Sequence, residues 1–366
     1  MNQATHKVPL MRIVKRDAIS MWRGWAIRLV GLVLALVVSA VVIYAIVKMN
    51  PLKVYGAMFE GNFGTEKRLW VTLRDMMMLL CIGIGLAPAF KMRFWNIGAE
   101  GQILAGGIAT AAVMIYFGQT MPTWMLLIVS FVVSLIAGAI WGFIPAFFKA
   151  RFGTNETLFT LMMNYVAIQL TSFFVAVWEN PFGSNTVGII NQQTKAGWFP
   201  PIFGQQYLLN VVLVLALTVI MYIYLRYSKQ GYEISVVGES ERTARYIGIH
   251  VKSVVMRTMM ISGAICGLAG YIAVAGASHT ISTSTAGGSG FTAIIVAWLA
   301  KFNTFTMILI AALLVFLEKG AIQIASQFNL NDFASQMITG IILFFILGSE
   351  FFTNYRLVFR GGKEAK

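Results

Sequence analysis

The sequence predicts an all-α, polytopic membrane protein of about ten transmembrane helices with both termini in the cytoplasm. Three observations carry that prediction. First, 58% of the 366 residues are hydrophobic and only 11% are charged, too few polar groups to cover a water-soluble fold. Second, apolar runs of about 20 residues, each long enough to cross a hydrocarbon core of roughly 30 Å, recur from Ala26 to Phe345. Third, the basic residues alternate between the connections. All but seven of the 28 Lys and Arg (Lys48, Lys53, Lys67, Arg68, Arg74, Lys195 and Lys319) fall in, or at the span ends that border, the segments that an even number of crossings places on the side of the two ends. The positive-inside rule makes that side the cytoplasm.

Spans are predicted near 26–48, 70–90, 102–118, 123–148, 157–177, 208–226, 255–275, 290–300, 304–318 and 334–349. The first run is too long for the core of a signal peptide, and Lys48-Met49-Asn50-Pro51 after it has no small-x-small cleavage pattern. Residues 1–25 then form a cytoplasmic tail, 26–350 the membrane domain and 351–366 a second cytoplasmic tail. The eighth run is too short to cross alone. With Ala286-Gly287-Gly288-Ser289-Gly290 before it, it reads as a broken or re-entrant element lining a cavity.

The longest outside loop, Trp178 to Gln206, is rich in Pro, Gly and Asn and poor in charge. Gly138-x-x-x-Gly142 and Gly263-x-x-x-Gly267 put small residues on one helix face, where neighbouring backbones can approach closely.

Composition also excludes several functions. The net charge of +14 is spread over short loops and tails, a topology signal rather than a nucleic-acid surface. His6, His250 and His279 are far apart and form no ligand set, and Cys81 and Cys266 fall inside predicted spans. No Gly-x-x-x-x-Gly-Lys-Ser/Thr run is present, so the chain has no phosphate cradle of that kind and no cofactor is expected in it.

Three polar clusters stand out. In the connection 227–257, Ser240 can cap a short helix with Glu241 in its first turn, and Gly248 can end it in a left-handed conformation. A solvated connector is the plainer reading. Between the second and third spans, Gly98 and Gly101 loosen the backbone while Asn96, Glu100 and Gln102 bring polar groups to the membrane boundary, unless Glu100 simply faces water in a turn. In the third cluster Asn155 caps the fifth span with Glu156 in its first turn, and Asn164 and Gln169 lie deeper. Amides there serve either helix packing or a watery path.

With these clusters in view, the chain resembles the permease subunits of bacterial ABC importers, in the branch that includes nucleoside and simple-sugar permeases. Phe94-Trp95-Asn96-Ile97-Gly98-Ala99-Glu100-Gly101-Gln102 is similar to that branch's Phe-Asn-Ile-Gly-Ala-Glu-Gly-Gln signature, with Trp95 inserted. Asn155-Glu156-Thr157 and Leu161-Met162-Met163-Asn164-Tyr165 resemble its Asn-Glu and Met-Asn-Tyr segment. Gly238 to Ile249 resembles its cytoplasmic loop, although Glu239-Ser240 stands where an Asn is common. Trp298-Leu299-Ala300-Lys301 likewise stands where a Leu-Gly turn is common.

The resemblance implies a division of labour in the plasma (inner) membrane. Two permease chains, often non-identical relatives, form the pathway, a separate ABC ATPase subunit uses the ATP, and an extracytoplasmic binding protein delivers the solute. Glu239, Ser240, Thr243, Ala244, Arg245, Ile247 and Gly248 would then form the ATPase-coupling loop. Asn96, Glu100, Gln102, Asn155, Glu156, Asn164 and Gln169 are pathway candidates.

A self-sufficient, ion-coupled transporter would call for carboxylates in mid-span, where only Asp75 and Glu100 come near. An intramembrane enzyme would need paired catalytic groups, and none are present. Among solutes, a nucleoside is favoured over a simple sugar or a branched-chain amino acid. The motifs resemble the nucleoside side of the branch, and amides beside aromatic residues suit a flat base and a ribose better than a zwitterion.

Overall fold

The computed structural model describes residues 11–16, 20–48 and 50–359. Residues 1–10, 17–19 and 360–366 of the expected tails lie outside the described residues. Strand β1 (Met11–Lys15) leads into α1 (Met21–Val42), which ends in a π-helical turn, Ile43–Val47. Then follow α2 (Pro51–Phe63), α3 (Glu66–Lys91), α4 (Ala99–Phe117), α5 (Thr123–Phe152), α6 (Glu156–Val177) and α7 (Leu208–Tyr227). The short helices α8 (Lys229–Glu239) and α9 (Glu241–Tyr246) precede α10 (Val251–Ala273), which closes in a second π-helical turn, Val274–Ser278. After these come α11 (Ser289–Leu299), α12 (Thr304–Phe328), α13 (Asp332–Asn354) and strand β2 (Tyr355–Phe359).

The chain divides into two compact units. One comprises the two terminal regions, up to Thr65 and from Phe316. In it β1 and β2 pair antiparallel, Met11 opposite Phe359 and Lys15 opposite Tyr355. The two ends of the described chain therefore lie together. Helix α1 packs on α13. They meet closely at Gly31, where a β-carbon would lie 2.5 Å from that of Ser349.

Helix α2, not among the predicted spans, starts as its sequence prescribes. Asn50 accepts from the Leu52 amide at 2.9 Å, and Pro51 occupies the first helical position, where its missing N–H costs nothing. The Tyr55 hydroxyl donates to the Leu36 carbonyl (2.6 Å), and Asn62 donates to that of Phe316 (3.0 Å), tying α2 to α1 and α12.

The second unit, Glu66 to Val315, is built on three helices in backbone contact. Helix α10 packs on both α4 and α5. The two small-residue motifs meet each other: a β-carbon at Gly138 would strike the Gly263 carbonyl, and one at Gly267 the Ser134 carbonyl. Gly106 is held as closely against Gly267. With no driving force from water inside the bilayer, such close approach gains dispersion contacts that larger residues would forfeit.

Among the described residues nine helical stretches are long and apolar enough to cross a membrane. The eighth predicted span is α11, whose 11 residues rise about 16 Å, roughly half a hydrocarbon core. Its two flanks contact different parts of the unit. His279 stacks on Trp198 and its carbonyl accepts from the Ile190 amide, both in the 178–206 loop. Lys301 and Phe302 instead share a cleft with Lys91 and Arg226. The segment 279–301 runs between these two contacts, its 279–288 part a series of turns and bends ahead of α11.

Two boundaries differ from expectation. Helix α12 continues to Phe328 because Glu318, Lys319 and Gln323 interrupt the apolar run without breaking the helix. The 227–257 connection is mostly helix, since Ser228 caps α8 by accepting from the Gly231 amide at 3.0 Å.

Candidate functional site

The turn between α3 and α4 folds back among the helices. Ser262, which it contacts, is about 17 Å along α10, and Asn164 about 12 Å along α6. Backbone groups at such depth have no water to pair with, and side chains take that place. The fully buried Asn96 donates to Ser262 Oγ (3.1 Å) and accepts from the Gly98 amide (3.0 Å). It also exchanges a pair of 3.3 Å hydrogen bonds with Gln102. Asn164 accepts from the Gly101 amide (2.8 Å) and donates to the Ile97 carbonyl (2.9 Å). Thr160 Oγ1 accepts from the Ile97 amide at 3.2 Å. Three helices, α4, α6 and α10, are locked to one turn through amides and hydroxyls.

Glu100 lies at the start of α4 with its side chain buried against the start of α11. Its carboxylate accepts from the Gly290 amide at 2.8 Å. A helix N-terminus presents unpaired N–H groups and the positive end of its dipole, so a carboxylate is the natural partner there. The fit demands glycine: a β-carbon at 290 would lie 2.8 Å from the Glu100 amide nitrogen. The aromatic rings of Phe90, Trp95, Trp298 and Phe302 close this side of the turn, with the additional Trp95 stacked on Trp298 at 5.3 Å. Before α11, Thr283, Ser284, Gly287 and Gly288 are exposed on the chain. They form an exposed stretch of small residues ahead of α11.

The second cluster lies at the surface of the unit. Ser240 caps α9, its hydroxyl accepting from the Thr243 amide at 3.3 Å. Gly248 ends the turn with a φ of +85°. Ala244 is fully buried, Arg245 pairs with Glu241 at 3.1 Å, and Tyr246 is 92% exposed. Ile247 is half-exposed beside it. Arg257 on α10 reaches Glu233 on α8 at 2.7 Å. At Gly238, α8 presses on the end of α3, where a β-carbon would meet the Lys91 carbonyl. A surface helix pair is therefore in backbone contact with the helix that leads into the buried turn.

The remaining predicted residues separate. Asn155 caps α6, accepting from the Leu158 amide (3.1 Å), and Glu156 pairs with Lys149 at 2.7 Å. Gln169 faces outward on α6. Sequence reasoning missed Thr160 and Ser262 as partners of the turn, because a single hydroxyl in an apolar helix has no distinguishing pattern. It also missed the pairing of Gly290 with Glu100, 190 residues apart.

Residues 70–347 match the family described as "Branched-chain amino acid transport system / permease component". The chain belongs to that family. Among curated proteins, it is 31% identical to the guanosine ABC transporter permease protein NupP of Bacillus subtilis, over 81% of this chain and 85% of the relative. The nucleoside ABC transporter permease protein NupB of Lactococcus lactis is 26% identical, with 87% and 89% covered. The glucose ABC transporter permease protein TsgB13 of Haloferax volcanii is also 26% identical, with 95% and 93% covered. The chain is thus a multi-pass permease subunit of an ABC importer in the inner membrane.

Proposed function

We propose that this permease carries a nucleoside into the cell, with a second and non-identical permease chain beside it and an extracytoplasmic binding protein delivering the solute. The likeness to NupP over most of both chains carries the choice of solute. ATP is bound and hydrolysed by a separate ATPase subunit, and this chain supplies no catalytic group or cofactor. Both termini and α8–α9 lie in the cytoplasm. The pairing of β1 with β2 supports the shared side, and the basic residues set which side it is.

In this reading α9 is the coupling helix. Glu239, Ser240, Thr243, Ala244, Arg245, Ile247 and Gly248 form or shape it, and Tyr246 and Ile247 offer exposed apolar surface to the ATPase. A push on α9 reaches the end of α3 through Gly238 and Lys91, and from there the buried turn and its tie to α11. Short packed helices pass such a displacement on as a rigid body, which a loop cannot.

The solute faces the strip from Thr283 to Gly288 and the exposed Gln169, while Asn155 and Glu156 flank the cytoplasmic mouth. Asn96, Glu100, Gln102 and Asn164 hold the wall from behind. Differential stabilisation of two helix packings by ATP then gives alternating access.

The test is uptake by the reconstituted transporter, with guanosine, adenosine, uridine, ribose, glucose and leucine as competitors. Competition by nucleosides is expected. Competition by glucose alone would favour the second reading that the likeness to TsgB13 offers, and competition by leucine alone would overturn both.

A further inference from the structure

A cleft of about 390 Å³ opens where the ends of α3 and α7 meet α8 and the turn between α11 and α12. Lys91, Arg226 and Lys301 line it, and among the described residues no acidic one does. Arg226 donates to the Tyr222 hydroxyl (3.0 Å), and Lys91 donates to the Leu225 carbonyl (3.1 Å). Both cations are thereby drawn to the cleft wall.

The first turn of α12 also enters the cleft through Asn303, whose side chain caps it by accepting from the Phe305 and Thr306 amides (3.0 and 3.3 Å), and through Thr304. Thr304 is only 1% exposed, yet its hydroxyl has no hydrogen-bond partner. A buried hydroxyl left unpaired costs free energy unless something outside the chain meets it. Three cations, the positive end of the α12 dipole and an unmet hydroxyl, with no carboxylate among the described residues that line the cleft, describe a site for an anion.

The apolar part of the lining narrows the ligand. Leu225, Phe302 and the ring of Tyr222 form one wall, and exposed Tyr227, Tyr232 and Phe305 surround it. Tyrosines at this level mark the boundary between headgroups and acyl chains. We propose that the cleft binds the phosphate headgroup of an anionic phospholipid, whose chains lie along the apolar wall. Because α8 supplies Gly231, Tyr232 and Ser235 to the cleft, a bound lipid would brace α8 and α9 against α3 and α12. The binding itself does not depend on the assignment of α9 to an ATPase.

Phosphatidylglycerol, phosphatidylcholine and inorganic phosphate are titrated into the full-length chain in zwitterionic detergent, and bound lipid is counted by native mass spectrometry. Phosphatidylglycerol is expected to bind and the other two not. Arg226→Gln with Lys301→Gln should weaken it on the order of tenfold or more, as loss of charge-assisted hydrogen bonds does. Thr304→Val removes no bond within the chain and should weaken the lipid about threefold without lowering Tm, so a folding defect in the double variant does not decide the matter.

Arg242→Gln with Lys252→Gln, the same charge change at exposed sites elsewhere, should have no effect; an equal loss there would reduce the binding to bulk charge and overturn the site. Binding of inorganic phosphate with equal preference would make it a free-anion site. Loss of the lipid once the ATPase subunit is added would make it a protein contact. Either result overturns the proposal.

Discussion

The buried turn at 94–102 and the surface helix α9 look alike in the sequence, each a short polar, Gly-containing stretch between apolar runs, yet they are in opposite physical states. In the turn, the polar side chains of Asn96, Gln102 and Asn164 are bonded to backbone or to one another. In α9, only Ser240 and the exposed Glu241–Arg245 pair are engaged, and the largest side chain points into solvent. Polar groups deep in a membrane are consumed by the fold, because nothing else there can satisfy them. Those at the surface remain available to a partner. Substitutions should therefore separate the two: stability falls with the turn, and coupling alone falls with α9.

The largest effect is expected at Asn164→Leu. The change leaves the Gly101 amide and the Ile97 carbonyl unpaired in a buried place, and each orphaned group costs about 1–3 kcal/mol. Thermal stability in detergent and uptake should fall together. Retained stability with lost uptake would mean that the Asn164 amide meets the solute and not the turn.

Gly248→Val should do the reverse. Nothing lies within 4 Å of a β-carbon at 248, so the cost is confined to the left-handed backbone. That is about 1–2 kcal/mol for an ordinary residue and more for a β-branched one. Solute-stimulated ATPase activity of the assembled transporter should be lost while the chain inserts and its Tm stays within about 2 °C. Normal stimulation in this variant would remove α9 from the coupling role. Ser240→Ala, which deletes a cap worth about 1 kcal/mol, should lower that stimulation only in part.

How much of this was legible in the sequence follows from range. Long apolar runs specify their own helices, so the spans appeared at the predicted places. The Ser240 cap and the Gly248 turn are local and were read correctly. The Gly138 and Gly263 motifs announced close packing, but not that they would face each other. What pairs across the fold could not be read at all. Glu100 looked like a boundary carboxylate because its partner, an amide at Gly290, is a backbone group any residue would carry. Helix α2 was passed over although Asn50-Pro51 marks its start, since its amphipathic 13 residues fall below the length of a crossing.

The smallest expected effect tests the converse of the comparison, a buried polar group that the fold does not satisfy. His279 lies beyond the end of the α10 span, in the left-handed region at φ +54°. Its ring is stacked on Trp198 at 3.7 Å and 3°, with both nitrogens buried and no hydrogen-bond partner. Burial pushes the imidazole below its ordinary value, favouring the neutral ring. A base whose folded value is depressed contributes its full stability above the unfolded value, and that stability is lost as pH falls below it. Moving from about pH 7.5 to about pH 5.5 should therefore lower Tm, by no more than about 2 °C for one such group. His279→Phe keeps an aromatic face against Trp198 and cannot take up a proton, so the difference between the two pH values should narrow by that amount. An unchanged difference in His279→Phe would place the acid sensitivity in another group and leave the stacked pair electrically silent.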